Sequence, residues 1–175
     1  MITTPQLATV FRVSDRLLVS VAHPFEGIVS FELVSADGSK LEADLIALIP
    51  EKDLSLLWLR EPSDLPALRL ASEEVKPDVP VNLFHYDNEG QLFVNDGTVL
   101  RRADVTLDGE DERRSIQLEA EIVAGDSGSP VVDPATGDAV GVVFAAARGA
   151  TTGWAVSVPE IRAAIEQLDA QPEPR

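Results

Sequence analysis

The sequence predicts an all-β protein that ends in one short helix, and three observations support this fold class. Short apolar runs rich in β-branched residues recur at even spacing, and glycine, proline or aspartate separates them. Such a succession of short strands and turns is typical of a barrel or a sandwich. Only at residues 159–168 does the apolar spacing become that of a helix. No internal repeat or low-complexity tract interrupts the pattern.

Strand-like runs in the first half end at two residues that can carry chemistry. Strands are predicted at 7–13, 17–22, 28–34, 41–49 and 54–59. The Ala-Asp-Gly segment at 36–38 is a hairpin turn between the third and fourth of them. The second run ends directly before His23, and a short loop leads to Asp53 just before the fifth.

The second half repeats the pattern after a polar connection at 71–79. Strands are predicted at 81–85, 91–101, 113–119, 130–133, 139–146 and 153–157. Residues 107–113 form a charged loop tip, and such charge runs are usually solvated. Pro159 suits the first turn of the closing helix.

Composition and charge exclude several classes of protein. The length of 175 residues fits one domain, and no apolar run is long enough to span a membrane. The net charge of −16 disfavours binding to nucleic acid or to an anionic membrane. Solubility explains this charge better than attraction of basic partners does.

Targeting and redox signals are consistent with a bacterial-type or intracellular protein. The chain has no cysteine, which argues against a disulfide-stabilised secreted domain. Residues 1–10 lack the basic and apolar regions of a signal peptide. The sequence as written therefore predicts a cytoplasmic location, or an extracytoplasmic one if it is a domain taken from a longer protein.

A glycine-hinged turn, Gly-Asp-Ser-Gly-Ser-Pro, lies between two apolar runs at residues 125–130. Glycine permits backbone angles at which successive N–H groups point to one site, and the serine at the tip is held rigidly. A nucleophile beside such donors is what acyl transfer requires. The same residue types also dominate ordinary turns, so this segment alone does not establish a site.

Two upstream segments favour the functional interpretation. His23, one of only two histidines, ends the segment Val-Ser-Val-Ala-His, and Asp53 begins Asp-Leu-Ser-Leu-Leu. Together with residues 125–130, these segments resemble the ordered His, Asp and Ser motifs of chymotrypsin-fold (trypsin-like) serine peptidases. The short gaps between them are similar to those of compact bacterial HtrA-type members. The resemblance covers about residues 7–170.

The resemblance implies a specific architecture. It implies two packed six-stranded antiparallel β-barrels and a short C-terminal helix. Within a peptidase domain of residues 1–171, the expected parts are a first barrel at about 1–70, a second at about 79–158 and a closing helix at 159–170. Residues 171–175 are expected to form a flexible tail.

The resemblance also implies a serine endopeptidase that acts on proteins or peptides and needs no cofactor or metal. Ser127 would be the nucleophile, His23 the general base, and Asp53 the residue that orients the base. The backbone N–H groups of Gly125 and Ser127 would form the oxyanion hole.

Two pocket chemistries remain open at this point. The trypsin-like pattern places Glu121 at the base of the specificity pocket, where a buried carboxylate would favour Arg or Lys substrates. Phe144, Ala145 and Ala146 would line the pocket wall, and small apolar residues at the cleaved position are slightly favoured.

One departure from the family pattern suggests conditional activity. In trypsin a freed N-terminal amine pairs with the aspartate before the nucleophile, but here the segment before His23 is too short for that route to Asp126. Asp126 therefore has another partner, or the oxyanion turn is not always formed. His85 is interpreted as structural or surface-exposed. Alternatives to an active peptidase are a catalytically silent peptide-binding or regulatory module, and a peptidase domain triggered by a regulatory protein partner or by cleavage.

Overall fold

The computed structural model describes residues 7–87, 89–106, 112–123, 125–146 and 151–170. The predicted tail at 171–175 and part of the predicted loop tip at 107–113 lie outside this range. The strands are β1 (Phe11–Arg12), β2 (Leu17–Ser20), β3 (Leu33–Val34), β4 (Lys40–Leu41), β5 (Ala43–Ile49), β6 (Leu54–Leu59), β7 (Pro80–Tyr86), β8 (Leu92–Val105), β9 (Arg113–Glu119), β10 (Pro130–Asp133), β11 (Asp138–Ala146) and β12 (Thr152–Ser157). The helix α1 spans Val158–Asp169.

The second half is a closed antiparallel barrel of six strands in the order β10-β11-β12-β9-β8-β7. Pairing of Val131 with Leu83 joins β10 to β7 and closes the ring. Alternation along each strand sends apolar side chains inward, where they form a buried aliphatic core. This core includes Val81, Leu83, Val99, Ile116, Leu118, Val131 and Val143.

The first half contains six shorter strands in two sheets. Four of them form a sheet in the order β1-β2-β6-β5, and β3 and β4 form a separate antiparallel ribbon. The expected strand at 7–13 is paired with β2 only at Phe11 and Arg12. The reason is that Thr9 donates its backbone N–H to Ser127 in the other half, at 2.8 Å.

A shared core joins the two halves. It contains Val19, Leu54 and Leu56 from the first half, and Val142 and Val156 from the second. The helix α1 closes this core with a buried apolar face, as the spacing of residues 159–168 predicts. Because the strands on both sides end at the same cleft, residues that follow β2, precede β6 and precede β10 can meet there.

The fold class predicted from the sequence is confirmed: the chain is mostly β, with a closed six-stranded barrel and one short C-terminal helix. Among the residues that the structure describes, no helix has the length and apolar character needed to cross a membrane.

Candidate active site

The segment around Ser127 forms a tight turn before β10. Gly125 and Gly128 adopt positive φ angles of 102° and 87°, which glycine accepts without strain. The N–H of Gly128 donates to the Val143 carbonyl at 2.8 Å, and the N–H of Ser129 donates to the Asp126 carbonyl at 2.8 Å. These bonds hold the half-buried Ser127 at the tip of the turn.

His23 reaches this turn from the first half. It begins a short 3₁₀ turn, His23–Phe25, two residues beyond the end of β2. Its Nε2 lies 3.1 Å from Ser127 Oγ, although the two residues are 104 positions apart in the sequence. Its Nδ1 lies 2.9 Å from Oδ2 of Asp53. The structure thus brings together all three residues that the sequence motifs indicate.

Asp53 is held by several donors at the start of β6. Its Oδ1 accepts the backbone N–H groups of Ala22 and His23, each at 2.9 Å. Burial acts to raise the pKa of Asp53, but hydrogen bonds and charge from His23 outweigh it, so the pKa lies below its usual range. The side chain is therefore an ionised carboxylate at neutral pH.

The chain of contacts from Ser127 through His23 to Asp53 has a clear chemical capability. An imidazole nitrogen within hydrogen-bond reach of a hydroxyl can remove its proton as the oxygen attacks an electrophile. A carboxylate on the opposite ring nitrogen fixes the tautomer and stabilises the imidazolium that forms.

The N-terminal segment supports the turn at residues 125–130 (the nucleophile turn). The Thr9 hydroxyl donates to the Gly125 carbonyl at 3.1 Å, and the Thr9 N–H donates to the Ser127 carbonyl. The N–H groups of Gly125 and Ser127, the expected oxyanion donors, donate to no other described residue.

Asp126 faces His85, which sequence reasoning interpreted as structural or surface-exposed. His85 is 7% exposed, and its Nδ1 lies 3.0 Å from Oδ1 of Asp126, without the angles of a good hydrogen bond. Burial raises the pKa of Asp126, although a hydrogen bond from the Val123 N–H lowers it in part. The inward alternation of Val81, Leu83 and His85 along β7 was the sequence signal for this burial.

The four expected pocket residues occupy different environments. Glu121 is exposed, and its carbonyl accepts a hydrogen bond from Asn95, so it is not a buried carboxylate at a pocket base. Phe144 is 4% exposed and departs from the expectation, because its ring belongs to the shared core. Ala145 is half-buried and Ala146 is exposed at the end of β11.

Two further features were not anticipated from the sequence. Ile122 packs so closely on Gly153 that a side chain at position 153 would overlap its Cδ1. Arg113, where the predicted charged loop tip ends and the strand predicted at 113–119 begins, is buried at the start of β9. Within the described ranges, no group of three or more potential metal ligands is found.

Comparisons with known proteins agree with this fold. A family model for a trypsin-like peptidase domain matches residues 8–142. The serine protease Rv3671c of Mycobacterium tuberculosis (strain ATCC 25618 / H37Rv) is 26% identical over 169 residues, which are 93% of this chain and 42% of that protein. The chain therefore spans about two fifths of the length of the curated relatives it matches.

Solved structures extend the likeness to the whole fold. The active form of the M. tuberculosis Rv3671c protease has a TM-score of 0.84 at 23% identity, covering 96% of this chain and 76% of that one. The HtrA-type protease AlgW with decapeptide has a TM-score of 0.83 at 22% identity, covering 93% and 51%. The MamO protease domain from Magnetospirillum magneticum has a TM-score of 0.76 at 22% identity, covering 90% and 87%.

The family model covers more than half of the chain, and the structural neighbours share its fold. The predicted kinship with chymotrypsin-fold serine peptidases close to the HtrA type is confirmed, and the chain belongs to the trypsin-like peptidase domain family.

Proposed function

We propose that this chain is a serine endopeptidase in which Ser127, His23 and Asp53 form the catalytic triad. The observation that carries the proposal is the continuous contact from Ser127 Oγ to His23 Nε2 and from His23 Nδ1 to Asp53. A peptide-binding module without catalysis requires neither of these two contacts.

The reaction follows from the geometry. Ser127 Oγ bonds to the substrate carbonyl carbon as its proton passes to His23 Nε2. The carbonyl oxygen becomes an oxyanion, which the N–H groups of Gly125 and Ser127 would stabilise. The C–N bond then breaks, and His23 gives the proton to the leaving amine. Water, activated by His23 in turn, hydrolyses the acyl ester and regenerates Ser127.

The substrate class is a protein or peptide with a small apolar residue at the cleaved position. Glu121 is exposed, so it supplies no buried charge to select Arg or Lys. The side chain of Ile122 fills the space over Gly153, beside the edge where Ala145 and Ala146 would bind the peptide. A structure of AlgW with a decapeptide supports peptide binding in this fold. A peptide library with each residue at the cleaved position tests this preference.

Activity that depends on an activating event is part of the proposal. Asp126 makes a poorly aligned contact with His85, so its carboxylate accepts fewer hydrogen bonds than that of Asp53 does. The Rv3671c protease has been solved in both an active and an inactive form. A partner or a cleavage would shift this chain toward the active arrangement. Full and constant activity of the isolated chain would contradict this part.

Labelling with a fluorophosphonate probe tests the catalytic proposal directly. The wild type should react, and Ser127→Ala and His23→Ala should lose the reaction by about 10⁴-fold or more. Ser129→Ala is the matched control, because it removes from the same turn a buried hydroxyl that has no hydrogen-bond partner among the described residues. It should react at the wild-type rate. Equal labelling of wild type and Ser127→Ala would refute the assignment.

A further inference from the structure

Arg113 is a buried cation beside the carboxylate of Asp53. It is 4% exposed, and its Nη1 lies 3.8 Å from Oδ2 of Asp53. This distance is too long for a hydrogen bond but short enough for a strong electrostatic interaction. The same Oδ2 lies 2.9 Å from His23 Nδ1, so one oxygen atom faces two cationic groups once the imidazole is protonated.

No other described acid pairs with Arg113. Its guanidinium lies over the ring of Phe144 at 5.1 Å, and its Nε is buried without a hydrogen-bond partner among the described residues. Arginine is almost never fully buried unless it is paired, because an uncompensated buried charge is strongly unfavourable. Among the described residues, the Asp53 carboxylate is therefore the anion that makes burial of Arg113 tolerable.

A second set of contacts fixes the separation of the two charges. Lys52, the residue before Asp53, donates from Nζ to the Glu112 carbonyl, next to Arg113, at 2.9 Å. Glu160 of α1 lies 3.3 Å from the same Nζ and accepts the backbone N–H of Arg114 at 3.1 Å. The loop that carries Asp53 and the start of β9 are thus tied to each other and to α1.

We propose that Arg113 is a positioning residue whose positive charge holds Asp53 ionised. The same charge keeps His23 neutral, and therefore basic, down to a lower pH than His23 would reach without it. The inference rests on the proposed peptidase function. A protonated His23 gains from the negative charge of Asp53, and the positive charge of Arg113 offsets part of that gain. Among the described residues, His23 and Arg113 are the charged groups that face the Asp53 carboxylate. Lys52 and Glu160 form their own pair close by.

The test compares Arg113→Met, Arg113→Gln and Arg113→Lys with Arg114→Met. Arg114 is the matched control, because it is the next residue, its side chain is exposed, and its loss changes the net charge equally. Proton NMR of the histidine rings in the Ser127→Ala background follows His23 without any reaction. The chain has only two histidines, so His23→Gln assigns the signals and His85 serves as an internal reference.

We expect the titration midpoint of His23 to rise by about 0.5–1 pH unit in Arg113→Met and Arg113→Gln. Arg113→Lys keeps a positive charge, so its His23 midpoint should lie between those of the wild type and Arg113→Met. Arg114→Met should leave the midpoint unchanged. In the same variants with Ser127 present, the rate of probe labelling should fall at low pH. The pH at which this rate is half of its maximum should rise by the same amount as the His23 midpoint. If Arg113→Met does not fold, Arg113→Gln decides the question.

An unchanged His23 midpoint in folded Arg113→Met or Arg113→Gln overturns the proposal, even if either variant is less stable. Loss of stability with no shift would mean that Arg113 only fills space in the core. Failure of the wild type to react with the probe would mean that the site is latent or inactive, which concerns the peptidase function and not the role of Arg113. In that case the NMR titration still decides whether Arg113 acts on the His23–Asp53 pair.

Discussion

Two buried aspartates in the site have pKa values shifted in opposite directions, and their donors explain the difference. Asp53 accepts two backbone N–H groups and contacts His23, so stabilisation of its charged form outweighs burial. Asp126 accepts one N–H, from Val123, and meets His85 at a poor angle. Burial therefore dominates at Asp126 and raises its pKa.

The raised pKa of Asp126 predicts a defined pH dependence of stability. Above about pH 4 the unfolded chain releases this proton before the folded chain does, so the free energy of unfolding falls as pH rises toward the folded-state pKa. Asp126→Asn removes this loss, of about 1.4 kcal/mol per unit of pKa elevation, and keeps an acceptor for Val123. The free energy of unfolding of Asp126→Asn minus that of the wild type should therefore increase as the pH rises from 4 to 7.

Urea unfolding at several pH values measures this difference, with the exposed Asp64→Asn as the control. Asp53 does not confuse the comparison. Its lowered pKa means that its contribution is present above about pH 4 and is lost only below it, in both proteins. A constant difference between Asp126→Asn and wild type from pH 4 to 7 would show that Asp126 carries no raised pKa.

At the scale of the element, the nucleophile turn depends on the N-terminal segment as much as on its own glycines. A side chain at Gly128 would overlap the carbonyl oxygen of Thr9 and the hydroxyl of Ser20. Ser20 itself donates to that carbonyl at 2.7 Å. The turn, the segment before β1 and the end of β2 therefore pack together without room for one additional carbon atom.

Comparison of Gly128→Ala with a control variant should distinguish the effect of this packing on the site from the effect of backbone strain alone. Alanine at a φ of 87° is disfavoured by roughly 1–2 kcal/mol, and displacement of Thr9 adds to that. A shift of the Ser127 hydroxyl by about 1 Å should slow probe labelling by about 10²-fold. Gly137→Ala is the matched control, because φ is 76° there and no atom lies within 4 Å of the new carbon. It should lose stability and keep the wild-type labelling rate; equal slowing in both variants would contradict the packing argument.

Local patterns predicted the elements better than the pairings between them. The apolar run at 54–59 became β6, and the helix predicted from residues 159–168 spans Val158–Asp169. The run at 7–13 has a strand-like composition, yet residue 9 bonds to the nucleophile turn instead of a strand. Composition cannot reveal that choice, because the partner lies more than a hundred residues away.

The site shows the same limit at the level of the whole molecule. The motifs around His23, Asp53 and Ser127 indicated three residues that the structure brings together. Arg113 and His85 were missed, since a charged residue at a strand end and a lone histidine are usually solvated or structural. The burial of Arg113 follows from how the two halves meet, which no local segment encodes, whereas alternation along β7 does place His85 on the inward face.

Because the halves contribute different members of the proposed triad, their common core decides whether these residues meet. His23 and Asp53 come from the first half, and Ser127 comes from the second. Ile161 of α1 is fully buried in that core, and Arg162 donates to the carbonyls of Leu70 and Ala71 in the connection between the halves. The helix thus contacts both halves and the segment that joins them.

Ile161→Ala should therefore weaken the fold and the site together. Truncation of a buried isoleucine lowers the free energy of unfolding by about 2–5 kcal/mol, whereas Ile46→Ala, at a side chain 37% exposed, should have a smaller effect. Circular dichroism and probe labelling are followed on one temperature ramp. If the halves form one cooperative unit, labelling and β-structure disappear at the same lowered temperature. Labelling that is lost well before the β-structure would mean instead that the halves separate as intact units, with His23 and Ser127 parting while each half stays folded.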